Sequence, residues 1–145
     1  MSAREYTQLV AREICDALAR TDEQQVEALL DMVEAAEHIF VGGAGRSGLM
    51  MRAFAMRLMH IGLTSYVVGE TVTPAIVEDD LLVVASGSGQ TRMSLALLDA
   101  AAARGARTAV ITAHEDSPVA RAADHVVHLH APVVFINDTR PTHQP

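Results

Sequence analysis

Five short runs alternate along the chain with segments of helical periodicity: HIFVG (38–42), TSYVV (64–68), LLVVA (81–85), RTAVITA (107–113) and HVVHLH (125–130). Runs that stay apolar belong to strands covered on both faces, and strands separated by helices pair in parallel. The pattern predicts an α/β domain, a doubly wound five-stranded parallel sheet of flavodoxin-like order 2-1-3-4-5 preceded by N-terminal helices. In that order the first and third strands are neighbours whose crossovers leave to opposite sides. A ligand crevice then opens beyond their carboxyl ends.

Three parts follow from the rhythm: N-terminal helices over 1–36 that pack on the domain, the sheet domain over 37–132, and a tail over 133–145. Leu9, Val10, Ile14, Ala17 and Leu18 recur at helical spacing in the first helix. Thr21 with Gln24 suggests a capping box for the second, which would bury Val26, Leu29, Leu30 and Val33. A helix from about Ser47 to His60 carries Met50, Met51, Met56 and Met59, most of them assigned to the core. It is apolar over more than one face, wider than a half-exposed helix needs. Part of it is therefore expected to pair with another subunit, with His60 or Arg52 near the contact. Ser117 and Pro118 start a short helix, proline suiting the first helical position. The tail is expected to hold one more short strand, Val133 to Ile136.

Composition removes several function classes. A chain of 145 residues fits one domain, and half of its residues are hydrophobic, which provides a sizeable core. The net charge of −7, without a basic cluster, argues against nucleic acid or an anionic membrane as partner. No apolar stretch reaches the roughly 18 residues of a spanning helix. The opening MSAREYTQLV lacks the layout of a signal peptide, so a cytoplasmic protein is expected. Cys15 is the single cysteine, which precludes an internal disulfide. All 11 cations are arginine. Without lysine there is no Walker A phosphate loop, no pyridoxal chemistry and no Schiff-base aldolase.

Two glycine loops carry the chemistry. The first strand runs into Gly42-Gly43-Ala44-Gly45-Arg46-Ser47-Gly48, and the third into SGSGQT, Ser86 to Thr91. Both lead into helix N-termini, where free N–H groups and the helix dipole favour an anion. Ser86, Ser88 and Thr91 add hydroxyls, and Arg46 adds a planar charge suited to phosphate. A dinucleotide reading stands beside this one. Gly43, Gly45 and Gly48 match the G-x-G-x-x-G spacing, and Glu70 supplies the acid expected about 20 positions on. A dinucleotide fold, however, has no use for a second, hydroxyl-rich loop after the third strand.

GAGRSG, FAMRLMHIGLTSYVVGETVTP and DDLLVVASGSGQT, in that order, resemble the sugar isomerase (SIS) domain, and more narrowly its 6-phospho-3-hexuloisomerase branch. The resemblance covers roughly Val33 to Pro132. It implies interconversion of hex-3-ulose 6-phosphate and fructose 6-phosphate without a cofactor, downstream of formaldehyde capture in the ribulose monophosphate route. It also implies a homo-oligomer, a dimer or tetramer. Carried over by position, Ser86, Gly87, Ser88 and Thr91 hold the phosphate with help from Ser47, while Gly45, Arg46 and Gly48 shape the first loop. Glu70 and Thr71 fall in the GET segment beside the pocket, and His60 ends the RLMH segment. The branch places its favoured proton-transfer glutamate beyond the fifth strand, whereas no glutamate follows Glu115 in this chain. Glu70 and His60 are the remaining candidate bases for an enediol mechanism. A phosphosugar-binding module without turnover is the alternative from another class. His128 and His130 share a strand face without an adjoining acid, which makes them a polar edge rather than a metal site.

Overall fold

The computed structural model of the chain describes residues 1–133. Its elements are α1 (Ala3–Ala19), α2 (Glu23–Ala35), β1 (Ile39–Gly43), α3 (Gly45–His60), β2 (Ser65–Val67), β3 (Leu81–Ala85), α4 (Arg92–Ala102), β4 (Arg107–Thr112), α5 (Pro118–Ala122) and β5 (His125–His128). The five strands form one sheet of order β2-β1-β3-β4-β5, and every neighbouring pair is parallel. All carboxyl ends therefore share one edge, as the alternating runs predict.

Successive strand residues point to opposite faces, and this chain fills both. Ile39, Val41, Leu81, Val83, Ala109 and Val127 pack with Leu29 and Val33 of α2 and with Met51, Ala55 and Leu58 of α3. Phe40, Leu82, Val84 and Val110 turn the other way, onto Leu98 of α4 and Val119 of α5. Each such side chain contributes about 1.5–3 kcal/mol on burial. At the amino edge, buried Asp80 accepts the Val77 N–H at 2.8 Å and meets His38 Nδ1 at 2.8 Å. That clasp fixes the entry of β3 beside the entry of β1.

Several local expectations are corrected. Asp22, not Thr21, caps α2, its carboxylate accepting from the Gln24 N–H at 2.8 Å. The Thr21 hydroxyl instead donates back to the Ala17 carbonyl. On α2 only Leu29 and Val33 are buried, whereas Val26 is 37% and Leu30 55% exposed. α1 buries Ala17 alone and leaves Ile14 and Leu18 outward. Periodicity gives the face of a helix but not the width of what it packs on. α3 begins at Gly45 rather than Ser47, and Met51 is the one buried methionine of its four, so most of them are not core. Ser117 and Pro118 open α5 as expected, Ser117 accepting from Ala120 N–H at 3.2 Å. Of the expected tail strand, only Val133 lies within the described residues, and it is not in a strand. No described helix is long and apolar enough to cross a membrane.

Candidate functional site

The sheet register brings the two glycine loops together. Gly43, the last residue of β1, pairs with Ala85, the last residue of β3, so Ala44–Gly48 and Ser86–Thr91 leave the carboxyl edge side by side. Gly48 allows the first loop to close: a Cβ there would lie 2.5 Å from the Gly43 carbonyl oxygen. Gly45 opens α3 at φ +56, and no side chain caps that helix. Its first-turn N–H groups thus lack a side-chain acceptor from the cap position, the usual state of an anion-binding helix start.

The second loop is tied from several sides. The Ser86 N–H donates to Ile111 O at 3.0 Å, Gly89 N–H to Ser86 O at 3.1 Å, and Ala113 N–H to Gly87 O at 3.3 Å. Gly89 sits at φ +64 against the Ser117 side chain, where a Cβ would collide with the Ser117 hydroxyl. The Ser86 hydroxyl is buried and donates to Thr91 Oγ1 at 3.3 Å, so Thr91 braces the loop rather than capping α4. Ser88 Oγ accepts the Gln90 N–H at 3.3 Å.

Between the loops lies a cavity of about 580 Å³. Arg46 and Ser47 from α3, Ser86 and Gly87 from the second loop, and Thr112 from the end of β4 supply its polar groups. Met50, Met51, Phe54, Ile111 and Leu129 supply an apolar wall. Of the described lining residues only Arg46 is charged, and none is an acid. In a chain of net charge −7, the cavity gathers a guanidinium, hydroxyls and helix N-termini with no acid facing them, groups whose chemistry suits an anion.

The expected site residues divide into two groups. Arg46, Ser47, Ser86 and Gly87 line the cavity, Gly45 and Gly48 shape its first loop, and Thr91 stands behind Ser86. Ser88 lines an adjoining cavity of about 400 Å³ with Gln90, Ser117 and His128. Glu70, Thr71 and His60 are not among the residues lining either cavity. Glu70 and Thr71 lie in the exposed turn after β2, where the Glu70 carboxylate pairs with Arg52. The acid that a dinucleotide reading needs is thus engaged by an arginine. His60 ends α3, roughly 20 Å along the helix axis from Arg46. Among the described residues no group of three or more His, Cys, Asp or Glu is placed to hold a metal ion.

Thr112 was not singled out from the sequence. It is 1% exposed, accepts the His114 N–H at 3.2 Å, and ends an apolar strand at the ligand-binding edge. A polar residue closing an otherwise apolar run at that edge was the available signal.

With this geometry in place, comparison with known proteins is direct. Residues 32–138 match the SIS domain family. The chain belongs to that family. It is 50% identical over 119 residues to a 3-hexulose-6-phosphate isomerase of Mycobacterium gastri, covering 82% of this chain and 60% of that relative. A 3-hexulose-6-phosphate isomerase of Bacillus subtilis is 34% identical over 129 residues, covering 89% of this chain and 70% of the relative. The chain also superposes with a TM-score of 0.78 on the crystal structure of a hypothetical protein from Methanococcus jannaschii. That structure led to an inferred function of 3-hexulose-6-phosphate isomerase; it is 36% identical, with 88% of this chain and 74% of that one covered. The chain spans about 60% of the length of the Mycobacterium relative.

Proposed function

We propose that the chain binds hex-3-ulose 6-phosphate and interconverts it with fructose 6-phosphate, as a cytoplasmic enzyme of formaldehyde assimilation by the ribulose monophosphate route. The observation that carries the reading is the acid-free cavity at the switch point, with Arg46, Ser47 and Ser86 converging on it. The phosphate sits against the two helix starts, and the sugar carbons extend along the apolar wall.

The reaction moves a carbonyl between C3 and C2 with no net oxidation. A base takes the proton from C2 of the hexulose, the electron pair forms a C2–C3 enediolate with the charge on O3, the hydroxyl proton passes from O2 to O3, and the base returns its proton to C3 as the C2 carbonyl forms. Donors near the developing oxyanion lower the barrier, and Thr112 and Ser47 are among the polar residues lining the cavity. Glu70 and His60 are the candidate bases. Glu70→Gln and His60→Gln should each leave fructose 6-phosphate binding in place; the variant that also abolishes turnover identifies the base.

A binding module without turnover is favoured by one observation, that neither candidate base lines a described cavity. Both readings predict thermal stabilisation by fructose 6-phosphate and its loss in Ser86→Ala/Ser88→Ala. Stabilisation with no conversion of hex-3-ulose 6-phosphate would leave the binding module. A shift with NAD(P)H instead of the phosphosugar would replace both.

A further inference from the structure

His128 ends β5, and its side chain, 17% exposed, stands between two cavities. One, of about 520 Å³, opens toward Glu13 and Arg20 of α1; the other, of about 400 Å³, opens toward Ser88. The Nε2 atom lies 3.2 Å from the Ala113 carbonyl oxygen. A carbonyl only accepts, so the ring donates to it from Nε2. Nδ1 faces the Glu115 carboxylate at 3.4 Å, but that carboxylate is 67% exposed and such a pair adds little. The contact to Ala113 is the firm one.

Ala113 lies one residue beyond β4 and lines both of these cavities and the 580 Å³ cavity as well. Its N–H donates to Gly87 O at 3.3 Å, which carries the pairing of β3 with β4 past the strand ends and into the second glycine loop. The end of β5 grips both peptides that flank Ala113. The Leu129 N–H holds the Thr112 carbonyl at 2.8 Å, and the His128 ring holds the Ala113 carbonyl. We infer that His128 is a positioning residue for the phosphate loop: it fixes Ala113, and Ala113 in turn fixes Gly87.

The ring is itself pinned. The His128 backbone N–H donates to Gln25 Oε1 at 2.8 Å, and His125 Nε2 donates to the Gln25 carbonyl at 2.7 Å, so α2 clasps β5 at both ends. The His130 ring packs beside it, 4.2 Å between centroids. A line of contacts therefore runs from Gln25 through His128 and Ala113 to Gly87, tying the second N-terminal helix to the loop. A side chain fixed by neighbours in this way pre-organises what it touches. The inference rests on the reading of that loop as a sugar-phosphate cradle, and it holds for an enzyme and a binding module alike.

Hydrogen exchange of the ligand-free protein tests the contact. In His128→Leu the protection of the Ala113 N–H should fall about tenfold. His128→Asn, too short to reach Ala113, should repeat the loss with a polar side chain. His128→Gln, whose amide nitrogen takes the place of Nε2, should restore the protection. His125→Leu removes the other clasp to Gln25 and should leave Ala113 protected, which separates positioning from a general loosening of β5. Unchanged protection in His128→Leu and His128→Asn, or an equal fall in His125→Leu, overturns the assignment. Calorimetry with fructose 6-phosphate then reads the loop. Affinity should be about two- to tenfold weaker in His128→Leu and His128→Asn, recovered in His128→Gln and kept in His125→Leu. Full affinity in His128→Leu overturns the positioning role. A natural chain that takes up no fructose 6-phosphate overturns the sugar-phosphate reading instead, and the Ala113 exchange still decides the His128 contact.

Discussion

Gly48 stands so close to Gly43 that a Cβ on it would lie 2.5 Å from the Gly43 carbonyl oxygen. This contact draws the start of α3 onto the end of β1 and sets Arg46 and Ser47 at the cavity. Gly48→Ala forces the helix start away from the strand, at a cost of about 1–3 kcal/mol. Urea denaturation should show that loss, and calorimetry should show weaker fructose 6-phosphate binding even where the variant is fully folded.

Ser86 and Arg46 reach the cavity from different elements, so their losses should be distinguishable. Ser86→Ala removes a hydroxyl that also braces Thr91. A hydrogen bond to a charged group is worth about 1.5–3 kcal/mol, which predicts an affinity loss of about tenfold or more. Arg46→Gln should weaken binding comparably and flatten its salt dependence, because the charge is gone. Titration of each variant with fructose 6-phosphate at low and high salt checks both.

The methionines of α3 separate core from surface. Met51 is 4% exposed and Met56 50%. Met51→Ala should cost about 2–5 kcal/mol in stability. Met56→Ala should stay within about 0.5 kcal/mol, as surface substitutions do. Urea unfolding of the two variants beside the natural chain measures both.

Acid should loosen α1 first. The Ser2 backbone N–H, and then the Ser2 hydroxyl, hold the Glu5 carboxyl below its usual 4.5. A lowered folded-state pKa means that this cap is in place above the unfolded value and is lost as pH falls through the folded one. The protection factors of the α1 amides, taken against the intrinsic exchange rate at each pH, should therefore fall below about pH 4.5, and Glu5→Gln should show part of that loss already at neutral pH.

The sheet was legible because the strands have short apolar centres, unbroken in β1 and β3 and begun or ended by polar residues in β2, β4 and β5. Leu81–Ala85 matches its run residue for residue, and the order follows from where the crossovers lie. The glycine loops were legible for a related reason, since Gly43 and Gly48 leave room that no other residue leaves. The helices were harder to read. Val26, Leu30, Met56 and Met59 repeat at core spacing yet face outward, because hydrophobic period does not tell how wide a surface the helix packs on. The capping box of α1, Ser2 with Glu5, and the Thr112 hydroxyl, which closes the strand β4, were missed. Glu70 was read as a candidate base, and its pairing with Arg52 depends on a turn that only the folded chain supplies.

The central claim is that the two-loop cavity turns over a ketose phosphate through a 2,3-enediol. Its most direct test is proton NMR of fructose 6-phosphate incubated with the protein in deuterium oxide. The C3 hydrogen signal should be lost with C1 untouched, and Ser86→Ala/Ser88→Ala should abolish that loss. A C3 signal that persists while fructose 6-phosphate still raises the melting temperature would contradict it.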